Sequence, residues 1–211
     1  MKILFYGDSI TDAIRNKEDA SAITALGGGY VRHAAARLYA KDIGKYDVIN
    51  TGISGNRIVD LYARIKSGLW NHEPDVISIL IGINDVWHEI ARQDGVELDR
   101  YENIYRLLLK ETKEKLPKAK IIICEPFVLC GSSTEEKFEE FLRVKDYAKV
   151  AKKLSDEFNT YFVPLQKVFD EKGALYGNNV LLKDGVHPTV KGAAILAEEW
   201  LKVFEKLEAE L

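Results

Sequence analysis

The stretch "KILFYGDSIT", residues 2–11, decides the fold. Residues 2–6 form a short run of apolar and aromatic side chains, the composition of a strand buried on both faces. The run stops at Gly7, and Ser9 is a residue type that opens a helix. A buried strand that turns through glycine into a helix begins a β-α-β unit. Four similar runs follow at residues 46–50, 75–81, 120–124 and 160–163, predicting five strands in all.

The intervals between these runs carry helical periodicity. Tyr101, Ile104, Tyr105, Leu108 and Leu109 fall at i, i+3, i+4, i+7 and i+8, on one face. Phe138, Phe141, Leu142, Tyr147, Ala148, Ala151 and Phe158 predict a second stripe, and Val190, Ala193, Ala194, Ala197, Trp200, Leu201 and Phe204 a third. Each is read as facing the core. Gly27, Gly28 and Gly29 read as a flexible entry into a helix that starts near Tyr30. Strands alternating with helices predict parallel pairing through right-handed crossovers, a doubly wound, three-layer α/β/α sheet. With no internal repeat, low-complexity segment or Pro/Gly/Ser-rich linker, residues 1–211 are expected to form one domain.

The 30 Lys+Arg and 33 Asp+Glu residues leave a formal charge of −3, too small an excess to suggest nucleic acid or a membrane surface as partner. Cys124 and Cys130 fit neither a C-x-x-C nor a zinc spacing, and both are expected to be free thiols. No G-x-x-x-x-G-K-[ST] or G-x-G-x-x-G string occurs, and "HEIAR" at His88 lacks the second histidine of a zinc helix. Neither cofactor nor metal is expected. No apolar run is long enough to span a bilayer and the opening residues do not read as a signal peptide, so a cytoplasmic location is expected.

In an open parallel sheet, ligands bind beyond the carboxyl ends of the strands. The residues there are unusually polar: Gly7, Asp8 and Ser9 after the first run, "NTGISGNR" after the second, "GINDVW" after the third, and "KDGVHP" ahead of the final helix. A serine that attacks a carbonyl needs a base, a group to orient that base, and donors for the oxyanion. His187 can serve as base and Asp184, three residues earlier, as its orienter. The N–H groups of Gly55 and Ser9 and the side-chain amide of Asn84 can serve as oxyanion donors.

The blocks G-D-S-I (7–10), I-S-G-N (53–56), G-I-N-D (82–85) and D-G-V-H-P (184–188) resemble the four signature blocks of the SGNH (GDSL) hydrolases, in the family's order and across nearly the whole chain. The resemblance implies a flavodoxin-like sheet, Ser9 as nucleophile, an oxyanion hole from Ser9, Gly55 and Asn84, and Asp184 with His187 completing a triad. "ALGGGYV", "DLYARI", "VISILIGINDVW" and "VHPTVKG" are similar to bacterial acetylxylan esterases of that superfamily. This implies a serine esterase acting on acetylated xylo-oligosaccharides or other short-chain esters, and assembly as a homo-oligomer. One departure stands out: those relatives commonly carry an aromatic residue before the triad aspartate, where this chain has Lys183.

Each residue also has a plainer reading. Ser9 alone reads as a helix cap, Gly55 as a tight turn and Asn84 as a cap. Asp8 reads as a structural residue that bonds backbone groups of neighbouring loops rather than as a proton carrier, and is kept as a candidate substrate contact. Arg57 fits a salt bridge holding its loop or a contact to substrate hydroxyls, and Trp87 and Phe127 fit the core or the wall of a sugar pocket. Two alternative functions are a lysophospholipase or thioesterase with a longer acyl pocket and a non-catalytic carbohydrate-binding module.

Overall fold

The computed structural model describes residues 1–210. Five strands, β1 (Lys2–Gly7), β2 (Asp47–Asn50), β3 (Val76–Leu80), β4 (Lys120–Cys124) and β5 (Tyr161–Val163), form one sheet in the order β2-β1-β3-β4-β5, every neighbouring pair parallel. This is the flavodoxin-like order, and all five carboxyl ends lie along one edge. Each strand lies within a residue of its expected bounds, because strands covered on both faces read as unbroken apolar runs. Every side chain of β3 is buried, as are Ile3–Tyr6 of β1 and Ile121–Cys124 of β4.

The helices are α1 (Ser9–Asp12), α2 (Tyr30–Lys41), α3 (Ile58–Ala63), α4 (Ile65–Gly68), α5 (Ile83–Arg92), α6 (Leu98–Lys115), α7 (Phe138–Phe141), α8 (Val144–Glu157), α9 (Gln166–Tyr176), α10 (Asn178–Leu181) and α11 (Val190–Ala209). They flank the sheet in two groups: α2 packs on α11, while α6 packs on α3 and α8. The alternation of side chains along β1 shows both layers. Phe5 meets Tyr30 of α2 edge-on at 5.6 Å and Trp200 of α11 at 4.8 Å. Its neighbour Tyr6 points the other way and donates its hydroxyl to the Leu61 carbonyl of α3 at 2.5 Å. Trp200 is wholly buried, and its Nε1–H finds the Ser78 hydroxyl of β3 at 2.9 Å, so its one polar atom is satisfied within the core.

Two helical expectations need correction. The stripe from Phe138 to Phe158 is not one helix: it breaks into α7 and α8 across Leu142 and Arg143, and Phe158 caps α8. In α11, Val190 is 71% exposed and Ala194 is also exposed, while Leu196 and Leu207 join the core. The first turn of α11 belongs to the loop-bearing edge of the sheet, so its apolar stripe starts only at Ala193. Among the described residues no helix is long and apolar enough to cross a membrane, and Cys124 and Cys130 are both free.

Candidate active site

The carboxyl edge of the sheet gathers the polar segments that follow the strands. β1 ends at Gly7, and Asp8 caps α1 by accepting the Ile10 N–H at 3.0 Å, which places Ser9 at the head of α1. Ser9 and His187 are 178 positions apart in the chain, yet Ser9 Oγ lies 2.9 Å from His187 Nε2. His187 Nδ1 lies 2.7 Å from Asp184 Oδ2. Asp184 Oδ1 accepts the N–H groups of Val186 and His187 at 3.0 and 2.8 Å. With the ionised carboxylate as acceptor, the ring proton resides on Nδ1, leaving Nε2 as acceptor for the serine hydroxyl.

The Asp184–His187 loop is held shut by its own backbone. Leu182 bridges Pro188, Lys183 N–H donates to the His187 carbonyl at 2.9 Å, and Thr189 N–H donates to the Leu181 carbonyl at 2.8 Å. Gly185 has φ +95°, and a Cβ there would lie 2.4 Å from Thr134 Oγ1, so this turn admits only glycine. Thr189 then caps α11, its hydroxyl accepting the Gly192 N–H at 3.2 Å.

Electrostatics favours a poised imidazole. The hydrogen bond from His187 Nδ1 to Asp184, with that carboxylate's charge, raises the His187 pKa above its ordinary value against the opposing effect of burial. Burial works to raise the Asp184 carboxyl, but the hydrogen bonds from the His187 ring and from two backbone N–H groups win and hold it well below the usual carboxylate range.

The oxyanion-donor candidates lie on neighbouring loops. Gly55 adopts φ +84°, a left-handed turn that leaves open space where a side chain would project. Asn84 is in the first turn of α5 and uses one side-chain N–H on the Asn56 carbonyl at 3.0 Å, leaving the second free to donate. Trp87 lies beside the site, its ring 5.9 Å from His187 and 5.7 Å from Phe141.

Asp8 and Phe127 are corrected as substrate contacts, and of the two readings of Arg57 the structure shows the salt bridge. Asp8 is wholly buried beneath Ser9 and cannot touch a ligand; burial pushes its carboxyl up to about 7. Phe127 is wholly buried too, stacked on Phe169 at 4.4 Å. Arg57 is committed to Asp60 and Asp94 at 2.9 and 2.8 Å, bracing the loop that precedes α3.

Several residues were not singled out by sequence reasoning. Arg64 stacks over the Tyr6 ring at 4.3 Å and donates to Asn56 Oδ1, the Thr51 carbonyl and the Gly7 carbonyl at 2.7, 2.9 and 3.1 Å. One guanidinium thus binds the ends of β1 and β2 to the Gly55–Asn56 turn. Asp12 accepts both the N–H and the hydroxyl of Ser54, at 3.0 and 2.9 Å. Asp85 is fully buried, accepts the Ile58 N–H at 3.0 Å and is pushed up to about 8 by burial, with the Asp8 charge adding to the effect. The string "DLYARI" contains Arg64, but periodicity cannot show that its side chain turns back beneath three loops.

Beside Ser9 opens a cleft of about 460 Å³ whose walls are mostly apolar, including Ile10, Ile14, Tyr30 and Pro188, with Lys183 at its margin. A larger hollow of about 630 Å³ follows the outer edge of β2 and does not include Ser9. A serine hydroxyl bonded to an oriented imidazole, with backbone and amide donors on adjacent loops, is equipped for acyl transfer.

Comparison with known proteins agrees with this geometry. The model of the GDSL-like lipase/acylhydrolase family matches residues 5–195. The chain is 39% identical to an acetylxylan esterase of Geobacillus stearothermophilus over 95% of its own length and 92% of that protein's. The crystal structure of that enzyme superposes with a TM-score of 0.85, covering 95% of this chain and 92% of that one. Among its structures are catalytic mutants in which a serine, an aspartate or a histidine is changed to alanine. A protein of Parabacteroides merdae described as a GDSL-like lipase superposes with a TM-score of 0.89 at 39% identity, covering 96% of this chain and 94% of that one. An isoamyl acetate-hydrolyzing esterase of Saccharomyces cerevisiae is 29% identical over 97% of this chain and 86% of its own length. The four sequence blocks, the β2-β1-β3-β4-β5 sheet and a family match over most of the chain lead to one conclusion: the chain belongs to the GDSL-like lipase/acylhydrolase family of ester hydrolases.

Proposed function

We propose that the chain is a serine esterase that removes acetyl groups from carbohydrate esters, with acetylated xylo-oligosaccharides as the foremost substrates. The observation that carries the reading is the continuous hydrogen-bonded series from Ser9 Oγ through His187 to Asp184. In this scheme Ser9 Oγ attacks the ester carbonyl while His187 Nε2 takes its proton. The N–H groups of Gly55 and Ser9 and the free amide N–H of Asn84 receive the developing oxyanion. The imidazolium returns its proton to the departing sugar hydroxyl, leaving acetyl-Ser9. A water, deprotonated by His187, then attacks that ester and releases acetate and free serine. The similarity to an acetylxylan esterase supports the choice of acyl group and sugar.

A second reading, hydrolysis of esters with a longer acyl or more apolar alcohol part, draws support from the apolar cleft walls. Acetate release from acetylated xylo-oligosaccharides, set against hydrolysis of matched octanoyl esters, separates the two. The acetyl reading expects kcat/KM to favour acetyl and Ser9→Ala to lose ~10⁴-fold or more. Preference for octanoyl would select the second reading, and a fully active Ser9→Ala would reject both.

A further inference from the structure

We propose that Lys183 selects, among acetyl esters, those whose alcohol part carries a carboxylate or phosphate beside the scissile bond. The inference rests on the esterase reading and deepens it by naming the class of alcohol. Three observations lead there.

First, among the described residues the only charged side chains lining the cleft next to Ser9 are Lys183, Asp184 and His187. Asp184 is already engaged by the imidazole. The Lys183 ammonium has no hydrogen-bond or ion-pair partner among the described residues, a state it shares with several surface lysines, none of which lines this cleft. It is a free positive charge at the margin of largely apolar walls, where an approaching anion is less screened than in open water.

Second, the backbone from which that charge extends is fixed. Lys183 and His187 face each other across a narrow loop, joined by the Lys183 N–H to His187 carbonyl bond at 2.9 Å and by the adjacent Leu182–Pro188 bridge. The ammonium therefore belongs to the same side of the site as the imidazole, and its charge acts to lower the proton affinity of that ring.

Third, the chemistry orients the substrate. The leaving oxygen collects its proton from His187 Nε2, so the alcohol must lie on the imidazole side while the carbonyl oxygen points toward the Gly55 and Asn84 loops. An acetyl group fills a small part of a cleft of about 460 Å³, and the rest is free for the alcohol. Lys183 thus faces the alcohol and not the acyl group. A lysine ammonium is a compact charge without the planar fork of arginine, so carboxylate and phosphate both satisfy it.

The test uses the full-length chain and three substrates that share one ring and one acetyl position: acetylated glucose, the corresponding uronic acid, and the corresponding sugar phosphate. The readout is the ratio of kcat/KM for each charged ester to that for the neutral one. A ratio cancels any general change that substitution at 183 produces through the imidazole. In the wild type the ratio is expected to exceed one for at least one charged ester. Lys183→Met should lower it about 3- to 5-fold, the range of an exposed ion pair, Lys183→Glu should take it below one, and added salt should move the wild type toward the Met variant. The better charged substrate identifies carboxylate or phosphate as the natural group, and equal gains assign the effect to charge alone. Ratios that agree in all three proteins, or that ignore salt, would overturn the proposal while leaving Ser9-dependent hydrolysis intact. If neutral acetylated glucose and both charged esters are all inert, and Ser9 resists fluorophosphonate, the esterase reading falls and takes this inference with it.

Discussion

His187 is half-exposed, paired with Asp184 and close enough to feel both Asp8 and Lys183. As the base it must be neutral. The Asp184 hydrogen bond favours the charged ring and shifts the pKa upward from ~6.5, so kcat/KM should fall on acidification with a midpoint above that value. Asp184→Asn removes the charge that favours the imidazolium, while burial and Lys183 still oppose it, so the midpoint should move down as the rate drops. The check is the kcat/KM profile of each protein on a neutral acetyl ester. A wild-type midpoint at or below the ordinary imidazole value, or no shift in Asp184→Asn, would contradict the pairing. From sequence Asp8 stood among the candidate substrate contacts while also reading as a structural residue that bonds neighbouring backbone, and the structural reading holds: it accepts the Ile10 N–H. Only the three-dimensional structure shows that it lies underneath, wholly buried.

Among the elements, the loops at the carboxyl edge matter most, and Arg64 is their common tie. It joins the end of β1, the end of β2 and the Asn56 side chain, while Asn56 also receives the Asn84 amide through its carbonyl. Losing one oxyanion donor outright costs ~10²–10³ in turnover. Loosening the loops that carry the donors should cost less, so Arg64→Gln is expected to lower kcat roughly 10- to 100-fold with a smaller change in KM. Added guanidinium ion should restore part of the rate in Arg64→Ala, as expected if the missing cation itself ties the loops and not if the truncation unfolds them. Unchanged kcat in Arg64→Gln would show that the loops hold themselves. This tie was invisible in the sequence because hydrogen bonds to carbonyl groups depend on where the backbone runs, which side-chain type does not encode. The break between α7 and α8 escaped for a related reason: apolar spacing reports which face is buried, and no proline or glycine marks the turn at Leu142 and Arg143.

Over the whole molecule, the sheet was legible because each parallel strand is covered on both sides and so appears as a short apolar run. Right-handed crossovers alone allow more than one strand order; the flavodoxin-like one was implied by the family resemblance, and the observed order β2-β1-β3-β4-β5 brings residues 7–9, 53–56, 82–85 and 184–188 to one edge. Ser9, His187 and Asp184 could be named in advance because acyl transfer restricts the residue types, and the sheet edge restricts their places. Arg57 and Phe127 could not be resolved, since a guanidinium or a phenyl ring serves a brace or a core as readily as a pocket. The central claim is that a substrate acyl group passes through the Ser9 hydroxyl. Rapid acid quench during turnover of an acetyl ester, followed by mass spectrometry of the digested chain, tests it most directly. The account predicts one acetyl group on the peptide containing Ser9, absent in Ser9→Ala and accumulating when His187→Ala is offered an activated ester. Acetate release at the wild-type rate with no acetyl on that peptide, or with the group on another residue, would contradict it.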